Sequence, residues 1–127
     1  MFSHVMVGSN NVDASRKFYD AVLGTIGLPA GITDEKGRVF YLSPHGVFAI
    51  TAPINGAAAS AANGGTIGFN VGSPGDVDAW HAAGIANGGT TCEEPPGVRD
   101  GGNMGKMYLA YLRDPFGNKL CALHRMG

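Results

Sequence analysis

The stretch YLAYLRDPFGNKLCALHR, residues 108–125, contains two strand-like runs on either side of a turn. Strands are predicted over about 106–113 and 119–124, where apolar residues recur at strand spacing. Between them, Pro115 presets φ, Gly117 tolerates a positive φ, and Asp114 can accept hydrogen bonds from turn amides. Because residues two apart share a strand face, Cys121 is predicted to face the same side as Leu123.

The sequence before this stretch predicts two helices. The first covers 12–24, with Asn11 or Asp13 as its cap and Gly24 at its end. The second begins after Ser73, has a proline in its first turn, and ends by about residue 87. Further strands are predicted over about 3–9, 26–33, 38–43, 46–52, 66–71 and 90–94.

The predicted elements repeat the order β-α-β-β-β twice, which indicates an α+β fold of two modules with mixed, curled sheets forming an open cup. The chain is predicted to be one domain, 1–127, with module one over about 1–56 and module two over about 64–127. Residues 53–65 are small or polar and are interpreted as the connection. A sheet with a helix on only one face must bury its other face, here against the second module.

Composition excludes several function classes. The 127 residues are 44% hydrophobic and 15% charged, with a net charge of −1, so no basic surface for nucleic acid or an acidic membrane is expected. No apolar run reaches the roughly 20 residues that cross a bilayer, and residues 1–8 lack a signal-peptide pattern. The two cysteines are interpreted as free thiols of a cytoplasmic protein.

Several short motifs occur in an order that is typical of one known family. From the N-terminus, the motifs are His4, Asp13 with Phe18-Tyr19, Leu23-Gly24 with Gly27-Leu28, Ala52 to Gly56, Thr66-Ile67-Gly68-Phe69, and Tyr108 to Lys119. Together they resemble the vicinal oxygen chelate superfamily of glyoxalase I, bleomycin-resistance proteins and extradiol dioxygenases. The resemblance spans the chain and implies the fold more strongly than any one reaction.

The resemblance also implies where a divalent metal would lie in enzymatic members. The first-strand ligand position falls on His4, the fifth-strand position on Thr66 and the eighth-strand position on Cys121. The fourth position has no candidate, and a neutral threonine hydroxyl is a poor ligand. We therefore expect no cofactor, and a divalent metal would have His4 as its only recognisable ligand.

Cys121 has three alternative interpretations. It could be a soft ligand that binds zinc together with His4, although two ligands do not make a site. It could be a reactive thiolate with His4 as its partner base. It could also be a small buried residue that fills the place of a lost ligand, as free cysteine commonly does, and this third interpretation is favoured.

Three functions remain open at this stage. The favoured one is a protein that binds a small molecule in the cup, with His4, Thr66 and Cys121 lining it at the family ligand positions. A possible substrate pocket is predicted from Phe48, Ile50, Tyr108 and Arg99. The alternatives are a metal-dependent lyase or dioxygenase acting on a small vicinal-oxygen substrate, and a structural homologue with a closed cup.

A homodimer is expected, because exposed sheet edges need cover. Residues 97–105 are interpreted as a glycine-rich rim or ordinary hairpin loop.

Overall fold

The computed structural model describes every residue from Met1 to Gly127. Module one consists of β1 (His4–Gly8), α1 (Val12–Gly24), β2 (Ile32–Thr33), β3 (Val39–Ser43) and β4 (Gly46–Thr51). Module two consists of β5 (Ile67–Asn70), α2 (Pro74–Ala86), β6 (Thr90–Thr91), β7 (Gly97–Asp100), a 3-10 turn (Gly102–Met104), β8 (Lys106–Arg113) and β9 (Lys119–Arg125).

Each module has one mixed, open sheet. The strand order is β1-β4-β3-β2 in module one and β5-β9-β8-β6 in module two, where β7 also pairs with β8. In each sheet the first strand runs parallel to the last strand of its module, and the remaining pairs are antiparallel. This arrangement leaves β1 and β5 at sheet edges. The predicted α+β fold of two modules is confirmed, and neither sheet closes into a barrel.

Both helices begin at the predicted side-chain caps. The side chain of Asn11 accepts a 3.1 Å hydrogen bond from the amide of Ala14 at the start of α1. Ser73 Oγ accepts a 3.1 Å bond from the amide of Asp76 at the start of α2. These bonds satisfy backbone donors that have no partner within the helix. Neither helix is long and apolar enough to cross a membrane.

Three predicted segments differ in the structure. The strand predicted over 26–33 is reduced to Ile32–Thr33, because the residues after α1 fold back and the amide of Leu28 bonds to the carbonyl of Leu23 at 3.0 Å. The strand predicted over 90–94 is reduced to Thr90–Thr91. Within the predicted loop 97–105, Gly97–Asp100 instead forms β7, because β8 supplies an antiparallel partner for it.

One hydrophobic core joins the two modules. Its largest fully buried side chains come from both: Phe18, Tyr19, Tyr41, Leu23, Ile50, Trp80, Leu112 and Leu120. The rings of Phe48 and Phe69 meet edge to face with their centroids 5.5 Å apart, which links β4 to β5. Since the apolar side of each sheet belongs to this shared core, the opposite side of each sheet is turned away from it.

A buried polar cluster also joins the modules, at the turn after β8. Oδ2 of Asp114 accepts hydrogen bonds from Tyr19 Oη at 2.6 Å and from Asn118 Nδ2 at 2.8 Å. Asn118 Nδ2 also donates to the carbonyl of Gly8 at 3.1 Å. Oδ1 of Asp114 accepts from the amides of Phe116 and Asn118. Asp114 therefore bonds the turn amides as predicted, and it also holds the two modules together.

Candidate functional site

An open cavity of about 640 Å³ lies where the two modules meet. Four parts of the chain line it: the start of β1, the segment after α1, the β3–β4 hairpin and β5. Its more buried lining residues are apolar: Val5, Ile26, Leu28, Tyr41, Phe48, Ile67 and Phe69. Its exposed lining residues include Phe2, His4, His45 and Asn70, which we call the rim.

Strand register explains why the inner lining is apolar. Val5 lies opposite Phe48 on the neighbouring strand, and Phe48 lies opposite Tyr41, so the three share the face that packs against the core. In the other sheet, Ile67 and Phe69 lie opposite Leu120 and Ala122, which are fully buried. The cavity therefore opens into the core side of both sheets, between their edge strands.

The rim carries polar groups whose positions are set by local bonds. His4 Nδ1 lies 2.8 Å from Ser3 Oγ. His45 occupies the β3–β4 turn, which is held beside the start of the chain because the amide of Val47 donates to the carbonyl of Ser3 at 3.1 Å. Gly46 has a φ of 147°, a conformation that favours glycine in this tight turn. No aspartate, glutamate, lysine or arginine is among the lining residues.

The structure places two of the seven residues from the sequence-based site in this cavity, His4 and Phe48. Ile50 is fully buried on the core side of β4. Tyr108 lies over α2, where its hydroxyl donates a 2.8 Å hydrogen bond to Asp78 Oδ1. Thr66 precedes β5 and is exposed. A ligand role for Thr66, Arg99 and Cys121 stays a prediction.

Cys121 and Leu123 do lie on one side of β9, since they oppose Tyr111 and Leu109 across β8. That side is the one turned away from the core. Cys121 is nevertheless only 5% exposed. Burial is the main cause that raises the pKa of its thiol to about 11, which favours a protonated thiol at neutral pH over a reactive thiolate.

Charged groups near Cys121 already have partners within the protein. Lys119 forms an ion pair with Glu93, and its Nζ lies 4.9 Å from the centroid of the Tyr111 ring. The guanidinium of Arg99 donates to the carbonyl of Pro95 at 2.7 Å. This face therefore combines apolar residues of β8 and β9 with charged groups that are already bonded within the protein.

Sequence reasoning missed two rim residues, His45 and Asn70. His45 is an exposed turn residue, and the turn borders the cavity. The other two histidines lie elsewhere. His81 Nε2 is 3.2 Å from Thr91 Oγ1, and His124 Nδ1 is 2.9 Å from the carbonyl of Val71.

Comparison with known proteins decides the family. The sequence profile of the Glyoxalase/Bleomycin resistance protein/Dioxygenase superfamily matches residues 1–122. The chain belongs to this superfamily. No curated protein matches the chain. Among solved structures, a glyoxalase/bleomycin resistance protein from Albidiferax ferrireducens T118 is 65% identical, with a TM-score of 0.95 over 98% of this chain and 99% of that one.

More distant superfamily structures share the fold. A glyoxalase-related enzyme from Fulvimarina pelagi is 19% identical, with a TM-score of 0.75, and the match covers 98% of this chain and 88% of that one. A lactoylglutathione lyase from Agrobacterium tumefaciens is 22% identical, with a TM-score of 0.67, covering 98% and 92%. At these identities the similarity concerns the fold.

The superfamily often uses a divalent metal, which requires several ligand side chains close together. No group of three or more histidine, cysteine, aspartate or glutamate side chains comes together within the chain. His4 is at the rim, whereas Cys121 is on the outward side of the module-two sheet and does not line the cavity. Within one chain, these residues do not fit the three or four ligands of a typical protein site.

Proposed function

We propose that this superfamily member binds a small, mostly apolar molecule in the cavity between its modules, without a metal-assisted step. The cavity carries the proposal. Its volume of about 640 Å³ falls within the range of small-molecule sites, roughly 300–1,000 Å³. Its lining is mainly hydrophobic, with a few polar groups at the rim, which is the usual composition of a ligand site.

The inner lining supports an apolar or planar ligand. Tyr41 and Phe48 are buried, and Phe69 packs against Phe48. Aromatic rings of this kind bind apolar ligands through their faces and edges. The bond between His4 and Ser3 leaves the second ring nitrogen of His4 without a protein partner, so one polar contact to a ligand is free.

The alternative is a metal-dependent lyase or dioxygenase acting on a small vicinal-oxygen substrate. His4 at the family's first ligand position and the fold shared with a lactoylglutathione lyase favour it. It requires ligands beyond His4, and a second copy of the chain is one source for them. Metal binding would then depend on assembly with the second copy as well as on His4.

We further propose a cytoplasmic homodimer. The outward side of the module-one sheet exposes Met6 by 37%, Leu42 by 48% and Ile32 by 58%, and burying such apolar surface favours association. Light scattering coupled to size-exclusion chromatography should give twice the mass of one 13.1 kDa chain. A monomeric mass at micromolar concentration would contradict this assembly.

The free thiols of Cys92 and Cys121 support the proposed cytoplasmic location.

The binding function can be tested with N-phenyl-1-naphthylamine, a neutral, apolar fluorescent probe. Protein purified without a metal-affinity tag, and treated with chelator, should bind the probe and increase its emission. Leu28→Trp places a larger side chain in the cavity and should weaken binding by about tenfold, because the indole occupies volume that the probe would otherwise fill. The matched control Ile85→Trp, at an exposed position of α2 outside the cavity, should leave binding unchanged.

Two results would contradict the proposal. Equal binding by both variants would place the probe outside the cavity. Near-stoichiometric metal by elemental analysis, lost in His4→Ala, would favour the enzyme instead, and assays for lactoylglutathione lyase and dioxygenase activity with Ni(II), Zn(II), Fe(II) or Mn(II) would follow.

A further inference from the structure

We propose that the ligand of this cavity is an apolar carboxylic acid whose carboxylate is held at the rim by His4 and His45 and whose hydrocarbon part lies against Phe48 and Phe69. This inference rests on the proposed small-molecule binding and adds the chemical class of the ligand. Of the two histidines, His4 is at a ligand position implied by the superfamily resemblance, and His45 is not.

Charge at the cavity favours an anion over a cation. The lining residues include two imidazoles and no side-chain carboxylate. The carboxylate that contacts the lining is Asp20, which accepts a 2.8 Å hydrogen bond from the hydroxyl of Tyr41. Asp20 also accepts from the amide of Gly31 and lies 3.7 Å from Arg16 Nε, so its charge is already compensated. A cationic ligand would find no partner there.

Donors at the rim are free for a carboxylate. His4 is bonded to Ser3 through Nδ1, which leaves Nε2 without a partner in the protein. The imidazole of His45 forms no hydrogen bond or ion pair in the structure, and neither does the side-chain amide of Asn70. Imidazole and amide N–H groups are suitable donors to a carboxylate, and bonds to a charged acceptor are stronger than neutral ones.

The apolar part of the ligand has a defined surface to bind. Phe48 and Phe69 meet edge to face, and Val5 and Leu28 line the same cavity. Burying a planar or short aliphatic group on these side chains removes apolar surface from water, which favours binding. An acid with a carboxylate and an apolar group can bond to the rim through the one and pack against the inner lining with the other.

The surface that carries Arg99 and Lys119 is a weaker candidate for an anion. Arg99 and Lys119 lie on the outward side of the module-two sheet. Lys119 is paired with Glu93, and Arg99 donates to backbone carbonyls of Pro95 and Val98. An anion there would have to replace existing bonds, whereas at the rim it would meet donors that have none.

A matched pair of ligands tests this assignment: 1-naphthoate and its neutral amide, 1-naphthamide, titrated by calorimetry at the same pH. The native protein should bind 1-naphthoate at least about tenfold more tightly than 1-naphthamide, because only the acid forms charge-assisted bonds. In the double variant His4→Gln/His45→Gln this preference should disappear, because the acid loses more affinity than the amide when the two imidazoles are removed. His81→Gln, which alters a histidine outside the cavity, should keep the native preference.

The outcomes separate this inference from the proposed function. Equal affinity for acid and amide in the native protein would overturn the carboxylate assignment while leaving binding in the cavity intact. A preference that survives in the double variant would overturn the role of the two histidines. Binding of neither compound, together with no binding of N-phenyl-1-naphthylamine, would overturn both. Because both histidines are exposed, the double variant should keep the native melting temperature, which verifies its fold.

Discussion

The hydroxyl of Tyr19 lies 2.6 Å from Oδ2 of Asp114, so α1 of module one is hydrogen-bonded to the turn that follows β8 of module two. Both residues are buried, with 0% and 4% of their surface exposed. Burial, and next to it the Asp114 carboxylate, raises the pKa of Tyr19 well above its ordinary value, so the hydroxyl stays a donor. The bond therefore connects the two modules through a Tyr19 hydroxyl that remains protonated and donates to Asp114.

Replacing Tyr19 by phenylalanine should lower the free energy of unfolding by about 1.5–3 kcal/mol, because a hydrogen bond to a buried charged group is lost. Chemical denaturation monitored by the fluorescence of buried Trp80 measures the change. Tyr108→Phe is the matched control, since its bond to Asp78 is exposed, and it should cost less than about 1 kcal/mol. Equal losses in the two variants would contradict the special role of Tyr19.

Asn118→Ala should interact with Tyr19→Phe, because both side chains donate to the same Oδ2 of Asp114. In a double-mutant cycle, the two losses should differ from additivity by at least about 0.5 kcal/mol, as is usual for residues that share a partner. Pairing Asn118→Ala with Ile85→Trp, whose side chain is exposed on α2 and forms no part of the cluster, provides the additive reference. Strict additivity in the first cycle would show that Asp114 does not couple the two donors.

Gly84→Ala should destabilise the protein by about 1–3 kcal/mol through overpacking. A Cβ at this buried position of α2 would clash with Leu112 Cδ1 and lie 3.3 Å from Phe18 Cε1. Gly24→Ala is the control in α1, where a Cβ would meet open space, and it should be neutral or stabilise by up to about 1 kcal/mol. Thermal or urea unfolding of the two variants provides the comparison.

Alkylation by iodoacetamide should be slow at Cys121 in the native protein. With a pKa of about 11, roughly one thousandth of the thiol is ionised at pH 8, and only the thiolate reacts. Half-buried Cys92 should therefore be labelled first, as mass spectrometry of peptides would show. Rapid labelling of Cys121 at pH 8 under native conditions would restore the thiolate interpretation.

The same pKa has a consequence for stability. Because the native pKa of Cys121 exceeds its ordinary value of 9.0, the native state holds the proton more tightly than the unfolded chain. The contribution of the Cys121 thiol to the free energy of unfolding is therefore complete below about pH 9. It decreases as the pH rises toward 11. Denaturation at pH 8 and pH 10.5 should show a larger loss for the native protein than for Cys121→Ala.

Local signals in the sequence were sufficient for much of the fold. Asn11 and Ser73 mark the two helix starts, and both caps form as expected. The repeated order of elements predicted the two modules. The strand Gly97–Asp100 was missed because it begins with glycine and is followed by two more, and its stability comes from pairing with β8 and not from its own strand propensity.

The candidate site was harder to predict. Alternation along β4 shows that Phe48 and Ile50 share a face, but it does not show which face packs against the core. In the structure that face is the core side, so Ile50 is fully buried within the core, whereas Phe48 is buried and also lines the cavity. His45 and Asn70 carry no local signal, because their place at the rim depends on how the modules pack.

The exposed connection between β4 and β5 has a practical consequence, since the core and the Asp114 cluster hold the modules together independently of it. A protein cut within residues 56–64 should behave as two complementing fragments. We expect each fragment alone to be largely unfolded, because its helix loses the partner module, and the mixed pair to regain native circular dichroism. Joining the original termini instead would give a circular permutant that begins at β5.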